Sequence, residues 1–172
     1  LQTRQSLPVE RVDAWVADAV RSLRNRGTVP PAVRVDRGDE KVRELILDVG
    51  ATHIFDDLPE DEVRKVAGAF FRRGMERGDT LFQRHQVADR MYIIDEGEVA
   101  LVDPLNELNP PDKLHDGDAV GSLAFVTGAR HAKSAIATME TKVWVLRKRD
   151  FEQLLRDSRL LESQVRQVVQ AQ

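Results

Sequence analysis

The chain has 172 residues, 41% hydrophobic and 32% charged, with a net charge of −3 and a pI near 5.9. That size suits one compact domain with an appendage, and the balance is that of a globular protein. No apolar run approaches the ~20 residues a membrane helix needs, cations and anions are too evenly mixed for a nucleic-acid surface, and the absence of cysteine excludes disulfides, thiolate zinc sites and cysteine nucleophiles.

The chain opens at Leu1 with neither Met nor a signal-like apolar core. It therefore reads as a fragment or processed product of an intracellular protein, cytoplasmic, or organellar if a presequence has been removed. Ser6 can cap a helix and Pro8 suits its first turn. Val9, Val12, Val16, Val20 and Leu23 recur at helical spacing, which predicts an amphipathic helix over 8–26 with Trp15 off the main stripe. Pro30 and Pro31 then read as a linker. The predicted division is an appendage at 1–31 and a domain at 32–172.

A second helix is expected over 39–49, with Val42, Leu45, Ile46 and Val49 on one face and Gly50 closing it. A third starts at Leu58 and Pro59, carries Glu60, Asp61 and Glu62 in its first turn, and runs on to Phe70. From Phe71 the texture changes to short strands broken by turns. Residues 91–94, 99–102, 134–137 and 142–146 are the clearest strands, and 103–112 is a loop. Arg147, Lys148 and Arg149 read as a solvated turn. Asp150 can cap a helix through Leu155, and Ser158 can cap a last one with Leu161, Val165 and Val168 along one side. The order predicts an α+β fold: helices over 39–71, about eight strands forming a small barrel over 71–147, then helices over 150–172.

Three stretches carry a resemblance. Residues 82–97, F-Q-R-H-Q-V-A-D-R-M-Y-I-I-D-E-G, resemble the turn-and-strand signature of the cyclic-nucleotide-binding domain. Residues 118–124, D-A-V-G-S-L-A, resemble the opening of its phosphate cassette, G-x-x-F-G-E-L-A. Residues 128–132, G-A-R-H-A, fall where the family has P-R-A-A, and 142–146 followed by Asp150 and Phe151 look like the next strand and helix of regulatory subunits of cAMP-dependent protein kinase. The resemblance implies an eight-stranded, jelly-roll-like β-roll with an N-terminal helical bundle and C-terminal lid helices. It also implies a ligand site at Gly121, Ser122, Leu123, Ala124, His131 and Ala132, with Arg130 as an alternative cation. In such a cassette a short helix after Gly121 would aim the backbone N–H groups of Leu123 and Ala124 at an anion.

The chain departs from the family at two positions. Ser122 stands where a Glu would accept the ribose hydroxyl, and His131 stands where an Arg would fork onto the cyclic phosphate. Ser is too short and uncharged, and imidazole lacks the planar fork. Losing a buried charged partner costs ~2–5 kcal/mol, and each ~1.4 kcal/mol is tenfold in affinity. His85 and Ala88 also replace glycines of the family pattern. A one-residue slip could move Arg130 into the cation's place, but it would turn every following strand residue to the opposite face. If His131 lines a phosphate pocket, its protonation should favour anions as pH falls.

Other chemistries find no support. The four histidines show no H-x-H or H-E-x-x-H spacing for a metal, V-G-S-L-A lacks the second glycine of a nucleophile elbow, and no acid–base–nucleophile set converges. Arg72-Arg73-Gly74-Met75 resembles a kinase inhibitor sequence but falls on an expected strand. The expectation is a non-catalytic regulatory or interaction module with a degenerate cyclic-nucleotide-binding fold. It would have no cofactor, no nucleic-acid partner and no membrane insertion. Its protein partner would dock on helix 8–26 or on helix 158–172. The alternative is a working allosteric receptor for cAMP, cGMP or another purine ligand.

Overall fold

The computed structural model describes residues 31–172 except 104, 107 and 109, with side chains from residue 40 onward. The helix expected over 8–26, its Trp15 and its docking role lie outside the described residues. Helix α1 (Pro31–Ala51) begins at Pro31 rather than at residue 39, and Gly50 lies within it rather than closing it. Proline has no N–H to lose in a first turn and is pre-set for helical φ, which suits Pro31 to the start of this helix. Helix α2 (Glu60–Ala67) keeps its three acids in the first turn but stops short of Phe70. There the backbone N–H groups of Ala69 and Phe70 bond to Val66 and Ala67 in tight turns, and the Phe70 side chain is fully buried.

Eight strands follow: β1 (Phe71–Met75), β2 (Thr80–Phe82), β3 (Arg90–Glu96), β4 (Glu98–Val102), β5 (Asp112–His115), β6 (Ala119–Val120), β7 (Ser134–Ala137) and β8 (Thr141–Arg147). They form two antiparallel sheets, in the orders β1-β8-β3-β6 and β2-β7-β4-β5. Strands β3 and β8 read as unbroken apolar runs because they are buried on both faces. Met91, Ile93, Trp144 and Leu146 face the helices, while Tyr92, Ile94, Val143 and Val145 face the second sheet. Strand alternation thus gives the molecule two cores separated by one sheet.

Helix α3 (Ser122–Thr127) is a single short element between β6 and β7; α4 (Lys148–Asp157) and α5 (Arg159–Gln170) close the chain. Asp150 does not cap α4. Arg147 occupies the cap position, and Asp150 in the first turn accepts from its Nε at 2.8 Å. Nor is the Arg147–Arg149 segment a plain solvated turn. The Lys148 Nζ donates to the Phe125 carbonyl at 2.6 Å and lies over the rings of Phe125 and Phe151. Burial there lowers its pKa.

The apolar face of α5 is covered by its own domain: Leu161, Val165 and Val168 are buried in the helix-side core with Phe55, Phe125 and Phe151. That face is not available for docking a partner, because it is packed against the domain's own helices. Ser158 caps α5, its Oγ accepting from the Leu161 N–H at 3.2 Å and donating to the buried Glu62 carboxylate at 2.6 Å. That bond, with a second from Lys65, holds the Glu62 pKa below the usual carboxylate range. Ser158→Ala removes a cap, ~1 kcal/mol, and one partner of a buried carboxylate, ~1–3 kcal/mol. Thermal and urea melts are expected to show a loss of about 2–4 kcal/mol. A loss under about 0.5 kcal/mol, the scale of ordinary surface substitutions, would mean that the α2–α5 contact does not depend on this serine.

A second polar link ties α1 to the sheet. The Asp95 carboxylate, 3% exposed, accepts from Arg72 Nη2 at 2.6 Å and from Lys41 Nζ at 3.2 Å. Lys41 also reaches Glu96 at 2.9 Å. Burial opposes the Lys41 charge, but its bonds to Glu96 and Asp95 outweigh that and hold its pKa above the ordinary lysine value.

Candidate functional site

The loop between β6 and β7 is built by two glycines in the left-handed region. Gly121, at φ 74°, starts α3, and Gly128, at φ 71°, ends it. The Phe125 N–H bonds to the Gly121 carbonyl at 3.1 Å, and the Ala129 N–H to Ala124 at 3.0 Å. Leu123 and Ala124 therefore sit in the first turn of a helix whose leading N–H groups have no partner within the helix.

A second segment, the turn after β2, is fastened along this loop. The His85 N–H donates to the His131 carbonyl at 2.8 Å, the His131 N–H to Gln86 at 2.9 Å, and the Ala88 N–H to Ala129 at 3.3 Å. His85 is the one non-glycine described residue at positive φ, 70°. A histidine tolerates the left-handed region better than most side chains but at a cost that a glycine avoids. His85 thus holds the left-handed conformation that the glycine expected there by resemblance would adopt at lower cost.

This pairing fixes which residues turn inward. Arg130 is exposed, and its Nη1 donates to the His85 carbonyl at 2.9 Å. His131 is 4% exposed. The register slip that would have turned Arg130 inward does not occur, because the ladder to residues 85–88 holds the alternation. Ala132 is exposed, its carbonyl accepting from Arg84 Nε at 3.2 Å. Ser122 is half-buried at the start of α3.

The His131 ring stacks on Phe82 with centroids 3.5 Å apart and planes 7° from parallel. Phe82 in turn packs against Tyr92, 6.3 Å between centroids. A Cβ placed on Gly121 would lie 2.9 Å from His131 Cε1 and 3.0 Å from Phe82 Cε2. The space beside Gly121 where a side chain would lie is therefore filled by two rings of the chain itself. Burial lowers the His131 pKa, with the Asp89 charge opposing. The anion affinity expected to rise on its protonation would therefore set in at lower pH than for a free imidazole.

The structure brings Gly121, Ser122, Leu123, Ala124 and His131 together and leaves Arg130 and Ala132 facing outward. Phe82 and Asp89 belong to the same cluster and were not singled out by sequence reasoning. A phenylalanine at the inward end of a strand that precedes a glycine-type turn was the available signal for the first. Among the described residues no group of three or more His, Asp or Glu could hold a metal ion.

Residues 72–158 match the profile of the cyclic nucleotide-binding domain family. A cAMP-dependent protein kinase regulatory subunit of Blastocladiella emersonii is 25% identical over 126 residues, 72% of this chain and 31% of that protein. An uncharacterised NTE family protein of Mycobacterium tuberculosis is 26% identical over 110 residues, 64% of this chain and 18% of that protein. Among solved structures, cAMP-bound PfPKA-R superposes with a TM-score of 0.60 at 23% identity, covering 67% of this chain and 42% of that one. The chain thus spans under a third of the length of these curated relatives.

Proposed function

Since this chain belongs to the cyclic nucleotide-binding domain family, we propose that it is a non-catalytic regulatory or interaction module whose nucleotide site has closed on itself and no longer binds cAMP tightly. The observation that carries this reading is the Phe82–His131 stack over Gly121. A cyclic phosphate seated on the first turn of α3 would have to displace both rings. It would find there a neutral imidazole and a serine instead of a guanidinium and a carboxylate. Its surroundings argue the same way, since the one carboxylate acting on His131, Asp89, adds negative charge beside the place of the phosphate. The short coverage of longer relatives, among them a kinase regulatory subunit, supports a place within a larger polypeptide or complex.

Calorimetric titration with cAMP and cGMP tests this directly. No saturable heat is expected with either nucleotide up to about 1 mM, a standard free energy weaker than about −4 kcal/mol. Binding at about 10 μM or tighter would sink the reading and favour a working cyclic-nucleotide receptor.

A further inference from the structure

We infer that the roll carries a second binding site, for a phosphate dianion, free or as a small monoester, in the cleft between β1, β2 and β3 that Arg73 and Arg90 both line and that shares Phe82 and Asp89 with the cluster around His131. The cleft measures about 330 Å³ and is lined by Arg73, Arg90, Gln83, Gln86, Asp89 and by Phe82 and Tyr92 among others; no residue of 121–132 lines it. It is at the small end of ligand-binding pockets, which run from ~300 Å³.

The position of Arg73 is the first argument. On β1 it alternates with Phe71 and Met75, both buried between the two sheets. An arginine on that side of a strand is unusual and calls for a counter-charge. Its neighbour Arg72, on the opposite side, has one in Asp95 at 2.6 Å. Arg73 has no ion-pair partner among the described residues, and its Nε is fully buried with no acceptor. Buried donors of native proteins are nearly always paired.

Arg90 repeats the pattern from β3. It lies directly across from Arg147 on β8. Like charges at opposed positions destabilise a sheet. Arg147 is relieved by Asp150 at 2.8 Å, whereas Arg90 has no ion-pair partner among the described residues. Asp89 is the one acid lining the cleft, so the two guanidiniums leave a net positive charge there.

The remaining polar groups point to donors. The Gln86 Oε1 already accepts from the Gln83 N–H at 3.0 Å, which leaves the Gln86 amide NH₂ to donate. The Tyr92 hydroxyl is committed to the Leu81 carbonyl at 3.1 Å. Two planar forks and a carboxamide around a small cleft match the acceptor oxygens of a phosphate dianion. The inference stands independently of whether the space over Gly121 binds a nucleotide.

The test is an NMR titration of the full chain at constant ionic strength and pH 7.5, once with inorganic phosphate and once with glycerol 3-phosphate. Saturable shifts are expected at the Nε–H of Arg73 and Arg90 and at the amides of Gln83 and Gln86, with a dissociation constant of about 1 mM or tighter. Arg90→Gln is expected to weaken binding about tenfold or more, and Arg73→Lys, which keeps the charge but loses the fork, by a similar factor. Lys142→Gln, an exposed cation outside the cleft, should leave it unchanged. Tighter binding of glycerol 3-phosphate assigns the site to monoesters, and tighter binding of inorganic phosphate assigns it to the free ion. The proposal is overturned by an absence of saturable shifts at about 20 mM. An unchanged affinity in Arg90→Gln, or shifts centred on Ser122–Ala124, overturns it equally. If Arg73→Lys fails to fold, Arg90→Gln alone decides, since that side chain is only half-buried on the rim.

Discussion

Ser122→Glu, His131→Arg and Phe82→Ile together are expected to give the chain at least about 100-fold higher affinity for cAMP than the parent. The three changes act on separate obstacles. Isoleucine in place of Phe82 removes the ring that stacks on position 131 at 3.5 Å and reopens the space above Gly121. Arginine at 131 restores a planar fork toward the phosphate, with the Asp89 carboxylate close enough to act on that position. Glutamate at 122 supplies an acceptor for the ribose hydroxyl. Each recovered charged contact is worth ~2–5 kcal/mol when fully desolvated, so even partial recovery of both reaches about 100-fold. Phe82→Ile alone should bind no better than the parent, because space without charge partners offers the phosphate nothing. Calorimetry on the single, double and triple variants checks the order of effects. A folded triple variant that gives no heat with cAMP at about 1 mM would mean that something other than these three side chains closes the site.

Asp95→Ala is expected to be the most damaging polar substitution in the described domain, at about 3–5 kcal/mol. The carboxylate is 3% exposed and lies between Arg72 and Lys41. Removing it leaves the Arg72 guanidinium partly buried, with its Nε already lacking an acceptor. For a chain of this length each ~1 kcal/mol moves Tm by about 2–4 °C, so the melt should shift down by about 10 °C. Amides of α1 should exchange faster, since Lys41 then keeps only the more exposed Glu96 as its partner on β3. Arg72→Leu in the Asp95→Ala background should recover part of the loss, because it removes the stranded charge. A shift of under about 3 °C for Asp95→Ala would show that α1 is held to the sheet by its apolar face alone.

What could be read along the chain was what depends on near neighbours. The two central strands announced themselves by the apolar runs within 91–94 and 142–146, and the Ser158 cap by its place ahead of the Leu161, Val165, Val168 stripe. Helix ends were read less well wherever a residue had two local roles. Pro31 is both a linker residue and a first-turn residue, and Asp150 both a cap and a first-turn acid. Only the packing of Lys148 on Phe125 and Phe151, which starts α4 two residues early, separates the two for Asp150. Within the site, the replacements at Ser122 and His131 were visible because each occupies a fixed position in a motif. Their consequence was not. The contact between Phe82 and His131 joins residues 49 apart in the sequence, and it exists because the turn at 85–88 is laddered onto 129–131. The Lys41–Asp95–Arg72 link and the Arg73–Arg90 cleft are equally non-local. For Arg73 the alternation with Phe71 and Met75 was already in the sequence and could have marked it as an inward-facing cation.

The ring pair over Gly121 has a consequence for what such a module can transmit. A receptor reports a messenger only because the messenger binds one conformation better than another and so shifts their populations. Here the occupant is joined to the wall by the chain itself, and groups so tethered compete at effective concentrations on the order of millimolar. On the proposed reading, a nucleotide that binds only weakly and is present at micromolar levels would be outcompeted. The output of the module would then follow not a messenger's rise and fall but how many copies of the chain are made and where they are placed, so that gene dosage, rather than a second messenger, would be the variable read from it.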